Sequence, residues 1–198
     1  MSKNNPSSQS KLQRRQFLRQ SVRAAAVLGT GAISAPSLAS ALTAPARQPD
    51  RKLRLVNAHT WEKLDIVFWS DGKHIDESMR AIDLLMRDHR ANESIAMDYR
   101  LIDDLHTLYN LLGTEKRIHV LSGYRTAATN EKLRSRSSGV AKFSLHMEGR
   151  ALDINVPGKT ANQIREAALT MAAGGVGYYP SSGFVHIDTG KVRAWSGS

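Results

Sequence analysis

Two histidines and one aspartate are the residues whose types and spacing best suit chemistry. His146 precedes a predicted strand, Asp153 lies on that strand seven residues later, and His186 lies on a later apolar strand. Two imidazoles and a carboxylate with an open fourth position are typical of catalytic zinc, and Gly149 allows a sharp turn that can bring the side chains into one cleft. Each residue taken alone also fits a buried polar group of the core. The histidines at positions 74, 89, 106 and 119 are predicted to be structural.

The composition excludes several classes of protein. The 198 residues suffice for one domain with its own core. Because cysteine is absent, disulfides and thiolate nucleophiles are excluded, and any metal must be bound by His, Asp or Glu. The net charge is +10, but six basic and no acidic residues fall within residues 1–41. Residues 42–198 keep 22 basic and 18 acidic residues, so the charge does not indicate a nucleic-acid partner.

The amino-terminal segment has the features of an export signal. Arg14 and Arg15 form a twin-arginine pair, and an apolar run follows at residues 24–35. Small residues up to Ala41 suit cleavage by signal peptidase. The run of about 12 residues is too short to span a bilayer. A disordered basic tail with a short amphipathic helix is the alternative interpretation.

These features predict the organisation of the chain. We expect a twin-arginine signal peptide over residues 1–41, a flexible linker over 42–52 that contains two prolines, and a folded domain over 53–198. Export by the twin-arginine pathway predicts a periplasmic location, with no stable membrane span after the leader is cleaved.

Hydrophobic periodicity predicts a single compact α+β domain. Alternating apolar residues between turn residues predict strands at 53–57, 64–69, 118–122, 151–156 and 183–188. Helical spacing predicts helices at 76–89, 98–112, 127–136 and 160–173. Strands and helices alternate irregularly, and there is no glycine-rich nucleotide loop. We therefore expect a small antiparallel sheet with flanking helices.

Four segments resemble one group of cell-wall peptidases. Residues 144–153 read Ser-x-His-x-x-Gly-x-Ala-x-Asp and resemble the zinc signature of the D-alanyl-D-alanine carboxypeptidase group, which shares its fold with lysostaphin-type peptidases and hedgehog domains. Residues 122–125 resemble the Ser-Gly-Tyr-Arg segment of that group. Residues 174–180 and 184–190 are similar to its exported branch, the MepK-type murein endopeptidases. The resemblance covers about residues 53–195 and implies the fold of this group.

The resemblance implies a role for each matched residue. His146, Asp153 and His186 correspond to the ligands of Zn²⁺. Arg125 corresponds to an arginine that stabilises the tetrahedral intermediate or binds a substrate carboxylate. Zinc lowers the pKa of its bound water to about 7, which supplies hydroxide for attack on a peptide carbonyl. The implied reaction is hydrolysis of peptide cross-links in peptidoglycan, with a preference for the 3-3 links that join two diaminopimelate residues.

The general base is the role for which this sequence departs from the family pattern. Many relatives carry an acidic residue three positions before the last zinc histidine, or a histidine two before it, but positions 183 and 184 hold Gly and Phe. Asp188 shares the strand face of His186. It is therefore either the base or a hydrogen-bond partner that orients the imidazole. His59 and Glu62 are further candidates if their predicted turn folds over the cleft.

The substrate inferred from this pattern is the anionic stem peptide of peptidoglycan. Such peptides carry several carboxylates, which suit a mildly basic domain. Arginines are expected near the cleft at positions 125, 134, 136 and 150. Two alternatives share the same pattern, namely a D,D- or L,D-carboxypeptidase acting on stem peptides, and a catalytically inactive peptidoglycan-binding module of the same fold. The sequence carries no signal for a particular oligomeric state.

Overall fold

The computed structural model describes residues 48–137 and 139–197, so the predicted leader and most of the predicted linker lie outside the described residues. The strands are β1 (Arg51–Asn57), β2 (Lys63–Ser70), β3 (Lys73–His74), β4 (Ile118–Ser122), β5 (Ala151–Asn155), β6 (Gly175–Tyr179), β7 (Phe184–Asp188) and β8 (Arg193–Ser196). The helices are α1 (Asp76–Leu85), α2 (Tyr99–Leu111), α3 (Ala127–Arg134) and α4 (Ala161–Met171), with a short 3-10 helix at Leu145–Glu148.

The strands form one sheet in the order β3-β2-β1-β4-β5-β7-β6-β8. The β1–β4 and β6–β8 pairs are parallel, and the other neighbours are antiparallel. The α+β class is therefore confirmed, but the sheet is larger than predicted and mixed rather than antiparallel. The parallel β1–β4 pair exists because β2, β3, α1 and α2 lie between these strands in sequence, and parallel strands require such a long connection.

The two faces of the sheet differ in chemistry. Leu53 and Leu55 of β1 and Leu152 and Ile154 of β5 are fully buried in the core on one face. Helices α1 and α2 contribute an apolar stripe to this core, with Met79, Ile82, Leu101, Leu105 and Leu108 buried. Because successive side chains of a strand point to opposite faces, Asp153 lies on the other face of β5. This face, opposite the apolar core, is here called the open face of the sheet.

Three strands were not predicted: β3, which has only two residues, and β6 and β8, whose sequences are atypical of strands. β6 contains Gly175 and Gly177, and glycine is depleted in strands. A Cβ atom at Gly177 would lie 2.6 Å from the ring of Trp195 on β8, so the glycine lets that indole lie against the sheet. β8 is only four residues long. β8 forms because it pairs with β6, and this pairing cannot be predicted from the residues of β8 alone.

The predicted helices are confirmed, although all four end earlier than expected, α2 by one residue and α4 by two. α1 ends at Leu85 rather than at residue 89, because the Asp88 carboxylate accepts hydrogen bonds from the N–H groups of Arg90 and Ala91 and forms a turn. α3 ends at Arg134 rather than at residue 136. Within the described residues, no helix has both the length and the hydrophobicity required to cross a bilayer.

Candidate metal centre

The three predicted ligands lie side by side on the open face of the sheet. His146 projects from the 3-10 helix, and Asp153 of β5 lies opposite His186 of β7. Oδ1 of Asp153 is 2.8 Å from Nδ1 of His186 and 3.3 Å from Nε2 of His146, and these two nitrogens are 3.3 Å apart. All three residues could hold a metal ion together. The structure thus brings together the residues that the sequence singled out.

The spacing of these donor atoms fits a tetrahedral ion. Ligands about 2.0–2.1 Å from zinc stand about 3.3 Å apart at tetrahedral angles, which matches two of the three separations, and the third, between Asp153 and His186, is the 2.8 Å of a hydrogen bond. Burial lowers the pKa of His146, which keeps a neutral imidazole with a free lone pair. Burial alone would raise the pKa of Asp153, but His146 and His186 lower it well below its usual value. Burial alone would lower the pKa of His186, but the hydrogen bonds with Asp153 and Asp188 raise it, so this imidazole gives up a proton when a metal ion binds. Two neutral nitrogens and one charged oxygen are then a donor set that suits Zn²⁺.

His146 is oriented by the loop that follows β4. Its Nδ1 donates to the carbonyl oxygen of Gly123 at 2.7 Å, which leaves Nε2 as the atom that faces the ligand set. The 3-10 helix is capped at its C-terminus by Gly149, whose φ of +68° lies in the left-handed region. A Cβ atom there would lie 2.8 Å from the carbonyl oxygen of Ala96. The sharp turn predicted at Gly149 is therefore present, and it needs glycine for two separate reasons.

His186 is oriented by Asp188, the residue that was predicted as either base or orienting partner. His186 Nε2 donates to Oδ2 of Asp188 at 3.0 Å, so Nδ1 faces Asp153. The side chain of Asp188 is fully buried, and its oxygens also accept from the N–H groups of Gly175 and Gly190 and from Arg193. Burial alone would raise the pKa of Asp188, but His186 and Arg193 lower it. The carboxylate lies behind the imidazole, on the ring edge opposite the ligand atom.

Arg125 lies beside the ligand set, as predicted. Its Nη2 donates to Oδ2 of Asp153, and its Nε donates to the hydroxyl of Ser122 at 2.7 Å. Its backbone N–H donates to the carbonyl oxygen of His146 at 3.1 Å. The guanidinium therefore holds one oxygen of Asp153 while the other oxygen faces the imidazoles. This charge-assisted contact fixes the orientation of the carboxylate.

Asp88 fixes the loop that carries Arg125, and the sequence did not point to it. Its buried carboxylate accepts from the N–H and the hydroxyl of Thr126, each at 3.0 Å. Burial alone would raise its pKa, but the hydrogen bonds from Thr129, Thr126 and Arg90 lower it to about 2. Asp88 lies within the helix predicted at 76–89, where an acidic residue is expected to have a solvent-exposed side chain. No local pattern distinguishes it.

A cleft of about 600 Å³ opens over the ligand set. Aromatic side chains form part of its wall, since the rings of Tyr179 and Phe184 stack with centroids 4.4 Å apart and Trp195 donates from Nε1 to the Tyr179 hydroxyl at 3.1 Å. Phe143 also lines the cleft and is 84% exposed. These aromatics were not predicted as site residues. Their only sequence signal is their position within or near the segments 144–153, 174–180 and 184–190.

The charged lining of the cleft differs from the expectation. Of the four arginines expected there, only Arg125 lines it, whereas Arg193 was not expected and does. Arg134 is paired with Glu131 at 2.6 Å and Arg150 with Glu148 at 2.9 Å. Arg136 does not line the cleft either.

The two alternative bases lie away from the cleft. His59 and Glu62 occupy the turn between β1 and β2, where His59 Nε2 donates to the carbonyl oxygen of Leu121 at 2.9 Å. The His59 ring stacks on His89 with centroids 4.0 Å apart. Glu62 accepts from Arg87 at 2.8 Å, and neither residue lines the cleft. The structure therefore does not bring this turn over the ligand set.

Comparison with known proteins assigns the family. A family profile described as "Peptidoglycan L,D-endopeptidase MepK" matches residues 45–195. "Peptidoglycan L,D-endopeptidase MepK" of Escherichia coli (strain K12) is 45% identical over 168 residues, which cover 85% of this chain and 90% of the relative, and the Shigella flexneri protein matches equally well. "Probable peptidoglycan L,D-endopeptidase MepK" of Haemophilus influenzae is 38% identical over 148 residues, covering 74% and 80%. The chain therefore belongs to the MepK family of peptidoglycan L,D-endopeptidases, and it is a peptidoglycan hydrolase.

Proposed function

We propose that this protein is a zinc-dependent murein endopeptidase that hydrolyses 3-3 cross-links between stem peptides. The observation that carries the proposal is the convergence of His146, Asp153 and His186 at 2.8–3.3 Å in a buried set beside an open cleft. Families of this kind are generally metal-dependent, and the donor set suits zinc more than a hard oxygen-seeking cation.

The three residues would hold the ion, and the neighbouring residues would fix their geometry. When bound, zinc supplies Lewis-acid polarisation of a peptide carbonyl and activation of water for attack on it. His146 presents Nε2 because Gly123 accepts its Nδ1 proton, and His186 presents Nδ1 because Asp188 accepts its Nε2 proton. Ligands fixed in this way lose little conformational entropy when the ion binds.

Arg125 and Asp188 take different parts in this proposal. Arg125 lines the cleft and would donate hydrogen bonds to negative charge on the substrate or on the tetrahedral intermediate. Asp188 would act as a positioning residue rather than as the base, because its oxygens are occupied by His186, Arg193 and backbone N–H groups. The proton acceptor is then a group other than Asp188, His59 or Glu62.

The bond specificity and the location follow from the substrate. The relatives are named as L,D-endopeptidases. A 3-3 link joins the L-centre of one diaminopimelate to the D-centre of another, so it is an L,D bond. Peptidoglycan lies outside the cytoplasmic membrane, which supports export, and we propose that residues 1–41 direct it through the twin-arginine pathway.

The experiment is mass spectrometry of fragments released from purified sacculi. We expect monomeric muropeptides to appear at the expense of 3-3 cross-linked dimers, and we expect a chelator to stop the release until zinc is restored. Release of terminal amino acids alone would identify a carboxypeptidase. Release of no fragments by the zinc-loaded protein would favour a binding module and contradict the proposal.

A further inference from the structure

A second depression, of about 550 Å³, lies on the open face of the sheet. It is bounded by Trp61, His119 and Pro157 and is here called the Trp61 pocket. Its charged lining consists of four basic side chains and one acidic side chain, namely Arg54, Lys63, Lys116, Arg117 and Glu115. None of these residues belongs to the cleft over the metal centre.

Strand register places the Trp61 pocket beside the metal centre. His119 of β4 is opposite Asn155 of β5, and Asn155 follows Asp153 by two residues on the same strand. Directly opposed residues and residues two apart share one face of a sheet. His119 and Asp153 therefore point to the same side, separated by about 7 Å along the strand and about 5 Å across the pair.

Trp61 has a conformation that packing does not explain. Its φ is +61°, in the left-handed region, which is a genuine outlier for a bulky residue. The side chain is nevertheless 66% exposed, with its ring 6.5 Å from the ring of His119. The turn is fixed, because Trp61 N–H donates to the carbonyl of Asn57, whose side chain accepts from two further N–H groups of the turn. An exposed indole held in a strained turn points to a ligand.

The charges of the Trp61 pocket favour an anionic ligand. Arg117 and Arg54 share Asp65, at 2.6 Å and 3.5 Å. Lys63 and Lys116 have no acidic partner in the described part of the chain. The Nε atom of Arg117 is buried without a hydrogen-bond partner among the described residues. Cationic groups left without counter-charges beside an exposed aromatic ring suit a molecule with an apolar ring face and a carboxylate.

We propose that the Trp61 pocket is a second binding site for the substrate polymer, in which a saccharide ring lies against Trp61 and a nearby carboxylate pairs with Lys63 and Lys116. This inference rests on the proposed function, because it takes the ligand to be a disaccharide-peptide of peptidoglycan. A cross-link at the third stem residue lies about 10 Å of extended chain from the sugar, which is comparable to the separation of about 9 Å that the strand register gives between His119, at the edge of the pocket, and Asp153.

The test measures binding without turnover. Co-sedimentation of the full chain with sacculi in the presence of chelator compares the unchanged protein with Trp61→Gly and with the double variant Lys63→Glu/Lys116→Glu. Glycine adopts a φ of +61° without strain, so Trp61→Gly should fold at least as stably as the unchanged protein. We expect each variant to reduce the affinity for sacculi about tenfold. Lys73→Glu/Lys132→Glu, the same change of charge at two exposed lysines outside both pockets, should leave it unchanged.

The ligand is tested with two soluble probes. A disaccharide-tetrapeptide should bind more weakly to Trp61→Gly than to the unchanged protein, whereas the same tetrapeptide without its sugars should bind both equally. Equal loss with both probes would overturn the saccharide assignment, and unchanged binding of sacculi by both pocket variants would overturn the site itself. Because binding is measured without cleavage, these outcomes can be interpreted even if the protein proves not to hydrolyse cross-links.

Discussion

His146 and His186 lie beside each other in the metal centre, and His59 and His89 lie beside each other near the turn after β1. In the first pair, a carboxylate oxygen of Asp153 lies within 3.3 Å of both ligand nitrogens, and each imidazole donates its other N–H to an oxygen. In the second pair the rings stack flat, 4.0 Å apart, and no carboxylate is bonded to either ring within the described residues.

The difference shows what a metal site needs beyond two neighbouring histidines. His146 is almost fully buried, whereas His59 is exposed. Burial removes competing water, the shared carboxylate supplies negative charge, and the second acceptor fixes which nitrogen is free. Among the described residues, the His59–His89 pair lacks the carboxylate, and only His59 has an oxygen that accepts one ring N–H. Proximity alone therefore does not make it a candidate for zinc.

The largest expected effect follows from removing the shared carboxylate. Asp153→Ala leaves the largely buried Arg125 without its counter-charge and removes one of the three ligands, so we expect zinc binding to be lost and the free energy of unfolding to fall by about 3 kcal/mol. Metal analysis and denaturant titration measure the two quantities. As a control, Glu131→Ala removes an exposed ion pair with Arg134 and should cost under about 1 kcal/mol. Full zinc occupancy in Asp153→Ala would contradict the claim that the shared carboxylate is needed for the metal site.

The second effect concerns the acceptor behind His186. Asp188→Asn weakens the hydrogen bond that orients the imidazole, and we expect zinc affinity to fall about 10- to 100-fold. Turnover of the fully loaded variant should stay within a few-fold of normal. Asp83→Asn removes a carboxylate that accepts from the N–H of Met97 outside the cleft, and it should leave zinc affinity unchanged. Unchanged zinc affinity with lost turnover in Asp188→Asn would instead identify Asp188 as the base.

The third effect separates backbone strain from contact at the turn that positions His146. Gly149→Ala places a Cβ atom against the Ala96 carbonyl at a φ of +68°, whereas Gly158→Ala has a φ of +83° and no atom within 4 Å. We expect Gly158→Ala to cost about 1 kcal/mol of stability and Gly149→Ala about twice that. Only Gly149→Ala should also weaken zinc binding. Calorimetric titration with zinc gives the affinity, and equal affinities in both variants would contradict the role of this turn.

The smallest expected effect is at the His59–His89 pair. His59→Ala should change turnover of a soluble cross-linked peptide less than about twofold, because His59 does not line the cleft. A sugar-free peptide substrate is chosen so that any effect on the adjacent Trp61 pocket does not enter the rate. A loss of 100-fold or more would identify His59 as the missing base and bring the two histidine pairs into one site.

The sequence predicted the local parts of this molecule well. The ligand residues lie within or beside short apolar strands, and Gly149 lies at a turn that favours glycine, so each element that carries a ligand is recognisable from a few consecutive residues. The predicted helices formed because their apolar stripes and caps are local too, as at Thr160, whose hydroxyl accepts from the N–H of Gln163.

The parts that the sequence did not reveal depend on distant segments. The environment of Asp188 is set by Gly175 on β6 and Arg193 on β8, two strands whose existence depends on pairing rather than on their own composition. The orientation of Arg125 depends on Asp88, which lies 38 positions before its partner Thr126. Hydrogen bonds between residues so far apart in sequence produce no periodic pattern from which they could be predicted.

X-ray absorption at the zinc edge of the purified full chain tests the central claim most directly. The account predicts one zinc per chain with two imidazole nitrogens near 2.0 Å and a carboxylate oxygen at about 2.0–2.2 Å, and loss of one nitrogen or of the ion in His186→Ala. A protein that binds no zinc, or a spectrum that is unchanged in His186→Ala, would contradict it.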